Sequence, residues 1–184
     1  MEDIKNILEG EIWLETERLI LRKITEHDIP YIFEYASDPE VTKYLRFETH
    51  KSLEDAKDYF SKVCVWYANQ PDHFPLAIEL KQDKKMIGTI GFVKFDLQND
   101  CAELGYVLSK KYWGHGYATE VAKKLIEFGF NQLKLHRIEA IVKKINISSV
   151  RVLEKIGMQQ EGLLRDKMKK NDIYYDAYMY SILD

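Results

Sequence analysis

The sequence predicts a single mixed α/β domain over residues 1–184, built on a mixed and mostly antiparallel sheet. Apolar residues alternate with period two across residues 74–80, 86–95 and 101–108, and short polar turns join these segments, so they form an antiparallel meander. A helical period follows the meander, and another strand is predicted at residues 137–142. This strand–helix–strand passage makes one neighbouring pair of strands parallel. No linker divides the chain.

Seven strands are expected in total. The first runs from Trp13 to Ile24, where Leu-Ile-Leu lies between charged residues. The last two lie at residues 158–166 and 173–183, and a polar turn joins them.

Three helices are expected before the meander. Thr25 has an acid three residues later, which resembles a capping box at the start of the first helix. A second helix begins at Asp38-Pro39 and extends to about Tyr44. Ser52 caps the third and longest, which residues 70–72 break.

Composition excludes several classes of partner. The formal net charge is −3, so no global positive field attracts nucleic acid or an anionic membrane. No apolar stretch approaches the roughly 20 residues that span a bilayer, and the acidic N-terminus lacks the apolar region of a signal peptide. The two cysteines, Cys64 and Cys101, cannot form a disulfide framework for a domain of this size, which indicates the cytoplasm.

The cysteines and histidines predict no chemistry of their own. Cys64 lies on an apolar helical stripe and is expected in the core, and Cys101 opens a strand without a neighbouring histidine. The five histidines form no pair with ligand spacing, so we expect no metal site.

One segment predicts an anion site. Residues 113–118 read Trp-Gly-His-Gly-Tyr-Ala, between the end of a strand and a long amphipathic helix. A helix start that follows glycines offers unpaired backbone N–H groups and a favourable dipole to a phosphate. An ordinary tight turn with a helix cap is the alternative. The segment lacks the Gly-Lys-Ser/Thr of a Walker A loop and the third glycine of a dinucleotide fingerprint.

Further segments connect this loop to a known family: residues 14–22, 36–42, 112–120, 135–140 and 146–158, in that order. With them the chain resembles the GNAT superfamily of N-acetyltransferases, and within it the Rim-type enzymes that acetylate the N-termini of ribosomal proteins. The resemblance covers nearly the whole chain. It implies a central mixed, mostly antiparallel, seven-stranded sheet with helices on both faces.

The resemblance also implies acetyl-CoA as the acetyl donor. The pyrophosphate loop of the family falls on Trp113, Gly116 and Ala118, and Trp113 replaces the usual glutamine or arginine, so this position offers only a backbone N–H. Pantetheine is expected beside the strand at residues 103–108, whose neighbour at 137–142 splays away. The residues expected to bind acetyl-CoA are Tyr106, Val107, Leu108, Trp113, Gly114, His115, Gly116, Tyr117, Ala118, Thr119, Asn146 and Ser149.

Asn146 and Ser149 match the Asn-x-x-Ser of the family. Asn146 has both a donor and an acceptor for a pantetheine amide, although an N-cap alone explains an asparagine at a helix start. Ser149 is the candidate acid for the departing thiol. Lys110 and Lys111 either meet the phosphates or belong to the solvated surface.

Glu103 is the candidate general base, because many GNAT enzymes use a carboxylate from this strand. Pairing with a basic residue across the sheet is the alternative. The Rim-type pattern also places a glutamate on the penultimate strand, at a position that is Met168 here or its neighbour Lys167 or Lys169. This departure from the pattern favours Glu103 as the general base, and Asp166 is a less favoured candidate for the same role.

The leading hypothesis is acetyl transfer to the α-amine of a protein N-terminus. A small amine, such as a polyamine, an amino acid or an antibiotic, is the second acceptor class. A non-catalytic acetyl-CoA-binding module and a general nucleotide binder are further alternatives. Because the family often forms dimers, a homodimer is also expected. Seven aromatic residues on the early helices either wall an acceptor groove or pack: Tyr31, Phe33, Tyr35, Tyr44, Phe47, Trp66 and Tyr67.

Overall fold

The computed structural model describes residues 2–69 and 73–184, which form eight strands and six α-helices. The strands are β1 Trp13–Glu15, β2 Leu19–Arg22, β3 Phe74–Leu80, β4 Lys85–Asp96, β5 Cys101–Leu108, β6 Arg137–Lys143, β7 Gln159–Lys170 and β8 Ile173–Leu183. The helices are α1 Glu2–Glu9, α2 Ile29–Ala36, α3 Pro39–Thr42, α4 Leu53–Asn69, α5 Tyr117–Asn131 and α6 Ile147–Lys155.

All eight strands belong to one sheet in the order β1-β2-β3-β4-β5-β6-β8-β7. Every neighbouring pair is antiparallel except β5 and β6, which α5 connects. A parallel pair needs such a long crossover, whereas four of the antiparallel pairs, β1–β2, β3–β4, β4–β5 and β7–β8, are joined by short turns. Between β2 and β3 the chain passes through α2, α3 and α4. The predicted mixed, mostly antiparallel sheet is confirmed.

The predicted number of seven strands is wrong, because the segment from Trp13 to Ile24 forms two strands. The N–H of Thr16 donates to the carbonyl of Leu19, and the chain reverses so that Trp13 pairs with Arg22. No glycine, proline or asparagine marks this turn in the sequence, so the usual turn signals are missing.

The sheet separates two apolar cores, which confirms helices on both of its faces. Leu76 and Ile78 of β3 face the core that contains residues of α1, α5 and α6. The intervening Ala77 faces the second core, which α2, α3 and α4 cover. This alternation is the period-two pattern of a strand that is buried on both sides.

The helices before the meander agree with the prediction except at three points. Helix α1 was not predicted; its Ile4 and Leu8 are one turn apart and pack into the first core. Helix α3 ends at Thr42 instead of Tyr44. Cys64 is exposed rather than in the core, because it lies about 100° around α4 from the buried Val63. The break predicted at residues 70–72 lies outside the described residues.

The capping box predicted at Thr25 is confirmed and joins a buried ion pair. Asp28 accepts a hydrogen bond from the N–H of Thr25 at 2.8 Å. Arg22 of β2 donates to both carboxylate oxygens of Asp28, at 2.7 and 2.8 Å. These bonds fix the start of α2 against the sheet.

Within residues 2–69 and 73–184, no helix combines the length and the apolar character that crossing a bilayer requires.

Candidate active site

A cleft opens where β5 and β6 stop pairing. Their parallel pairing covers three residues on each strand and ends where Glu103 lies beside Glu139. Beyond this point β5 stays paired with β4 as far as Leu108, and β6 stays paired with β8 as far as Lys143. The two strands therefore diverge, each with its other neighbour, and leave a cavity of about 280 Å³. The predicted splaying is confirmed.

The divergence leaves one edge of β5 unpaired beyond Glu103. Such an edge can accept an extended ligand in the way that it would accept another strand. Tyr106 and Val107, two of the predicted cofactor-binding residues, line the cleft on this side. Leu108 is the last residue of the strand and lies past the lining.

The glycine loop follows β5 on the surface and leads into α5. Gly114 and Gly116 have φ of +79° and +81°, a left-handed conformation that glycine adopts without strain. Gly116 is the N-cap of α5, and its carbonyl accepts from the N–H of Glu120 at 3.0 Å. Among the described residues, no acceptor pairs with the N–H groups of residues 114–119. The loop thus has the free donors and the helix dipole of an anion site.

An ion pair that we did not predict holds this loop. Arg18, in the turn between β1 and β2, donates from Nε and Nη2 to Glu120 at 2.8 and 2.6 Å. Its Nη1 donates to the carbonyl of His115 at 3.1 Å, and its guanidinium lies 4.4 Å from the centre of the Tyr117 ring. Partial burial opposes ionisation of Glu120, yet bonds from Thr16 and Arg18 hold the pKa of this carboxyl below its ordinary value.

We call the bonds from Arg18 to Glu120 and to the carbonyl of His115 the brace of the loop. The sequence gives no signal for it. Arg18 and Glu120 are 102 positions apart, and each resembles an ordinary charged surface residue until the sheet brings them together. Glu120 carries a negative charge in the first turn of the helix that is expected to bind phosphate. Arg18 neutralises that charge, so the carboxylate does not repel an anion.

Two details of the loop differ from the prediction. The N–H of Trp113 donates to the carbonyl of Lys110 at 3.2 Å, so the free donors begin at Gly114. The indole of Trp113 donates to the carbonyl of Leu108 at 2.9 Å and ties the loop to the end of β5. Lys111 pairs with Glu34 of α2 at 2.6 Å, which favours the surface alternative for this lysine.

Asn146, Ser149 and Tyr106 form one hydrogen-bonded group in the cleft. Asn146 is the N-cap of α6: its Oδ1 accepts from the N–H of Ser149 at 3.3 Å. Its Nδ2 donates to Ser149 Oγ at 3.0 Å, and Tyr106 donates to the same oxygen at 3.1 Å. Burial raises the pKa of Tyr106 to about 12, so the tyrosine keeps its proton. Ser149 therefore receives two hydrogen bonds and keeps its own proton for a third partner.

Glu103 lies at the point where the strands part and is paired. Its side chain is 11% exposed, and its Oε1 accepts from Nη2 of Arg46 at 2.8 Å. The expected alternative was a basic residue across the sheet, but Arg46 comes from the loop between α3 and α4, 57 positions away. The pairing does not exclude a catalytic role, because the Arg46 side chain is 60% exposed and is anchored to nothing else in the described chain.

Two buried lysines hold that loop, and we did not predict either of them. Lys143 of β6 is 2% exposed and donates to the carbonyl of Lys43 at 3.3 Å. Lys170 of β7 donates to the carbonyls of Thr42 and Phe47, at 3.0 and 2.6 Å. Burial lowers the pKa of Lys143, and the charge of Lys170 acts in the same direction.

The walls of the cleft include two of the seven aromatic residues named from the sequence, Tyr44 and Phe47. The other five belong to or pack against the second core. Met168, which stands where the Rim-type pattern has a glutamate, also lines the cleft. Asp166 is exposed and is not among the lining residues, so its position does not favour a catalytic role.

Over the part of the chain that the structure describes, no three His, Cys, Asp or Glu side chains come together as a metal site would require.

Comparison with known proteins identifies the family. Residues 18–159 match the Acetyltransferase (GNAT) domain. The chain is 40% identical over 171 residues to an uncharacterized N-acetyltransferase of Bacillus licheniformis, covering 92% of this chain and 95% of the relative. It matches the crystal structure of a GNAT-family acetyltransferase from Bacillus anthracis with a TM-score of 0.83 and 32% identity, over 94% of this chain and 98% of that one.

The chain therefore belongs to the GNAT acetyltransferase family and is an acetyl-CoA-dependent N-acetyltransferase. More distant relatives differ in the acceptor that their names give. A putative ribosomal N-acetyltransferase of Bacillus subtilis is 32% identical over 118 residues, and a spermidine N(1)-acetyltransferase of Escherichia coli is 25% identical over 157 residues. These names leave the acceptor of this enzyme open.

Proposed function

We propose that this enzyme acetylates the α-amine of a protein N-terminus, with ribosomal proteins as the class that the Rim-type resemblance implies. The observation that carries the proposal is the position of Glu103, at the point where β5 and β6 part. A thioester that lies along the free edge of β5 brings its carbonyl to this point. One carboxylate is then in place to take the proton of an attacking amine.

The donor is proposed to bind across the cleft and the glycine loop. The N–H groups of residues 114–119 receive the diphosphate, aided by the dipole of α5. Pantetheine lies along β5 and hydrogen-bonds to its unpaired backbone beyond Glu103. Asn146, although it is the N-cap of α6, lines the cleft and remains a candidate for one pantetheine amide.

In the proposed reaction, the neutral amine attacks the thioester carbonyl carbon. A C–N bond forms, a tetrahedral oxyanion follows, and the C–S bond breaks to release the thiolate of CoA. Glu103 takes the amine proton, directly or through a water molecule. Ser149 donates a hydrogen bond to the leaving sulfur, since Tyr106 and Asn146 already donate to its oxygen. The thiolate then takes a proton from solvent.

The single carboxylate favours an α-amine over a lysine side chain. An α-amine has a pKa of about 8, so forming its neutral species at pH 7 costs about 1.4 kcal/mol. A lysine amine has a pKa of about 10.4, and forming its neutral species at pH 7 costs about 4.6 kcal/mol. Deprotonating an α-amine therefore requires less free energy from the general base. Orientation of the reactants supplies much of the remaining acceleration.

Replacing Glu103 tests the proposal. We expect Glu103→Gln to lower kcat/KM for an N-terminal peptide about 100-fold at pH 7. The loss should shrink to about tenfold or less at pH 9, because the acceptor then loses its proton to solvent. Free CoA thiol released over a pH series measures both values.

Glu139→Gln is the matched control. Glu139 lies opposite Glu103 in the strand register, but it pairs with Arg137 and does not line the cleft. This variant should keep the wild-type pH profile, and both variants should bind acetyl-CoA as the wild type does in calorimetry. A loss in Glu103→Gln of equal size at every pH would reject the base role.

A small amine is the second candidate acceptor. It is supported by the name of the spermidine acetyltransferase relative and by the aromatic residues Tyr44 and Phe47, which offer flat apolar walls to an alkyl chain. Rates with spermidine and with an N-terminal peptide, measured side by side, separate the two candidates.

A cytoplasmic location belongs to the same proposal. Cys64 and Cys101 are both free thiols, and Cys64 is exposed, which suits a reducing compartment. A homodimer stays a prediction that rests on the family resemblance.

A further inference from the structure

We call the part of the cleft around Glu103 and Arg46 its acceptor end. This end carries more positive than negative charge. Its charged lining residues are two cations, Arg46 and Lys143, and one carboxylate, Glu103. Arg46 already pairs with Glu103 at 2.8 Å. Within residues 2–69 and 73–184, the lining contains no second carboxylate.

This balance of charge does not suit a polyamine. When one amine of such a molecule reaches Glu103, its other ammonium groups need carboxylates or other hydrogen-bond acceptors nearby. They would instead meet the guanidinium of Arg46, and the amine of Lys143 is buried in the wall behind it, bonded to the carbonyl of Lys43. Like charges at such distances disfavour the wrong ligand, which is one physical basis of specificity.

Arg46 has donors to spare on the cleft side. A guanidinium carries five N–H donors, and only Nη2 of Arg46 is hydrogen-bonded, to Glu103, in the described part of the chain. The side chain is 60% exposed, so a ligand can reach it. A planar fork of this kind recognises a carbonyl or carboxylate oxygen with defined geometry.

The backbone of the loop that carries Arg46 is fixed by two lysines of the sheet, Lys143 and Lys170. Lys143 binds the carbonyl of Lys43, and Lys170 binds the carbonyls of Thr42 and Phe47. These three carbonyls lie on both sides of Arg46 in the chain. The loop is thus held before any acceptor arrives, which lowers the ordering cost of binding.

We propose that Arg46 is a specificity-determining residue that binds the carbonyl or carboxylate oxygen next to the acceptor amine, and so selects α-amino carbonyl compounds over polyamines and alkyl amines. The proposal rests on the proposed function and names what the enzyme recognises besides the amine. In an amino acid or a peptide N-terminus, this oxygen is separated from the amine nitrogen by only two carbon atoms. An amine that approaches Glu103 therefore brings its oxygen within reach of Arg46, which lies 2.8 Å from the same carboxylate.

The exchange of partners also frees the base. In the structure Arg46 pairs with Glu103, and in the proposed complex the guanidinium turns its free donors to the acceptor oxygen. The amine takes the vacated position at the carboxylate. A polyamine has no oxygen to offer Arg46, so it lacks this exchange.

Two acceptors that differ mainly in the carbonyl group test the proposal. Alaninamide and isopropylamine share the carbon skeleton around the amine, and only alaninamide carries the oxygen. With rates corrected for the neutral fraction of each amine, we expect the wild type to prefer alaninamide at least ~50-fold in kcat/KM, as a charge-assisted hydrogen bond allows. Arg46→Gln should reduce this preference to within about fivefold, and Arg46→Lys should restore part of it.

The controls separate this idea from a general structural effect. Lys57→Gln removes an exposed cation of α4 that pairs with Glu54, and it should leave the ratio of the two rates unchanged. Calorimetry should show unaltered acetyl-CoA affinity in every variant. If Arg46→Gln slows both acceptors equally, or leaves the ratio as it is, the specificity role is wrong. If the wild type instead prefers spermidine to alaninamide and to N-terminal peptides, the proposed function itself fails before any variant is compared.

Discussion

The two ends of the cleft are built in different ways. The end at which we propose that acetyl-CoA binds, the donor end, consists of backbone: an unpaired strand edge after Glu103, two glycines with positive φ and the free N–H groups at the start of α5. The acceptor end consists of side chains from distant parts of the chain. Arg46 reaches Glu103 over 57 positions, and Lys170 reaches Thr42 over 128.

This difference reflects what each end has to recognise. A diphosphate and a pantetheine arm are the same in every reaction of the enzyme, so fixed backbone donors can serve them. The acceptor differs from one acetyltransferase to another, as the names of the relatives illustrate. Side chains on a loop can change without disturbing the sheet, which is where specificity is commonly found.

The largest effect should follow a change at the donor end. Gly116→Val places a β-branched residue at φ +81°, a conformation that costs an ordinary L-residue roughly 1–2 kcal/mol and a β-branched one more. The loop must relax, and the N–H groups that we propose bind the diphosphate move with it. We expect acetyl-CoA affinity to fall by about 100-fold or more, since each charge-assisted hydrogen bond contributes about 1.5–3 kcal/mol. Isothermal titration calorimetry measures the change.

Gly162→Ala is the control for this variant. Gly162 lies on β7, its φ is not positive, and no atom lies within 4 Å of an added Cβ. Circular dichroism should show both variants folded. An unchanged acetyl-CoA affinity in Gly116→Val would remove the loop from the donor site.

The comparison also explains how much the sequence could predict. The loop at residues 113–118, the strand at 103–108 and the helix that Asn146 caps are local patterns, and the structure places all three around one cleft or at its end. Each pattern depends on neighbouring residues, so periodicity and glycine spacing are enough to find it. The parallel pair then follows from the chain order, whereas the divergence of its two strands was expected only from the family resemblance.

Contacts between residues that are far apart in the chain could not be predicted from such local patterns. Arg46, Lys143 and Lys170 look like solvated surface residues in the sequence, and two of them are almost fully buried. A buried lysine is rare and reveals itself only when the fold shows which carbonyls surround it. The turn at Thr16 was missed for a different, local reason, because hydrogen bonds between Thr16 and Leu19 replace the usual turn residues.

A change at the acceptor end should leave the donor end intact. Lys170→Met removes the donors for the carbonyls of Thr42 and Phe47 and frees the loop that carries Arg46. A hydrogen bond from a charged donor contributes about 1.5–3 kcal/mol, so we expect the acceptor KM to rise about tenfold. The Kd for acetyl-CoA should stay within about twofold of the wild-type value, because the polar contacts of this lysine are to Thr42, Phe47 and Glu48 and not to the loop at 113–118. Steady-state kinetics and calorimetry give the two numbers.

Lys169→Met provides the neighbouring control. Lys169 is half-exposed and pairs with Asp172 within the same hairpin. In the described part of the chain, it forms no ion pair with the loop that carries Arg46. Its acceptor KM should match that of the wild type. A fall in acetyl-CoA affinity in Lys170→Met would show that the two ends of the cleft are coupled and do not act independently.

The smallest effect should come from the brace behind the donor loop. Arg18→Lys keeps the positive charge but loses the fork that holds Glu120 and the carbonyl of His115 together. Exposed ion pairs contribute about 0.2–1 kcal/mol, and Arg18 is partly exposed, so we expect acetyl-CoA affinity to fall about threefold to fivefold. Added salt should reduce the difference between the variant and the wild type, because it screens the pair in both.

The brace belongs to the donor end by position, yet it is made of side chains that are 102 positions apart in the chain. Lys124→Gln serves as its control, since Lys124 pairs with Glu127 further along α5, away from the glycine loop. If Arg18→Lys instead weakens acetyl-CoA binding as strongly as Gly116→Val does, then backbone geometry alone does not form the donor site. Arg18 would then have to be counted with Gly116 among the groups that receive the diphosphate.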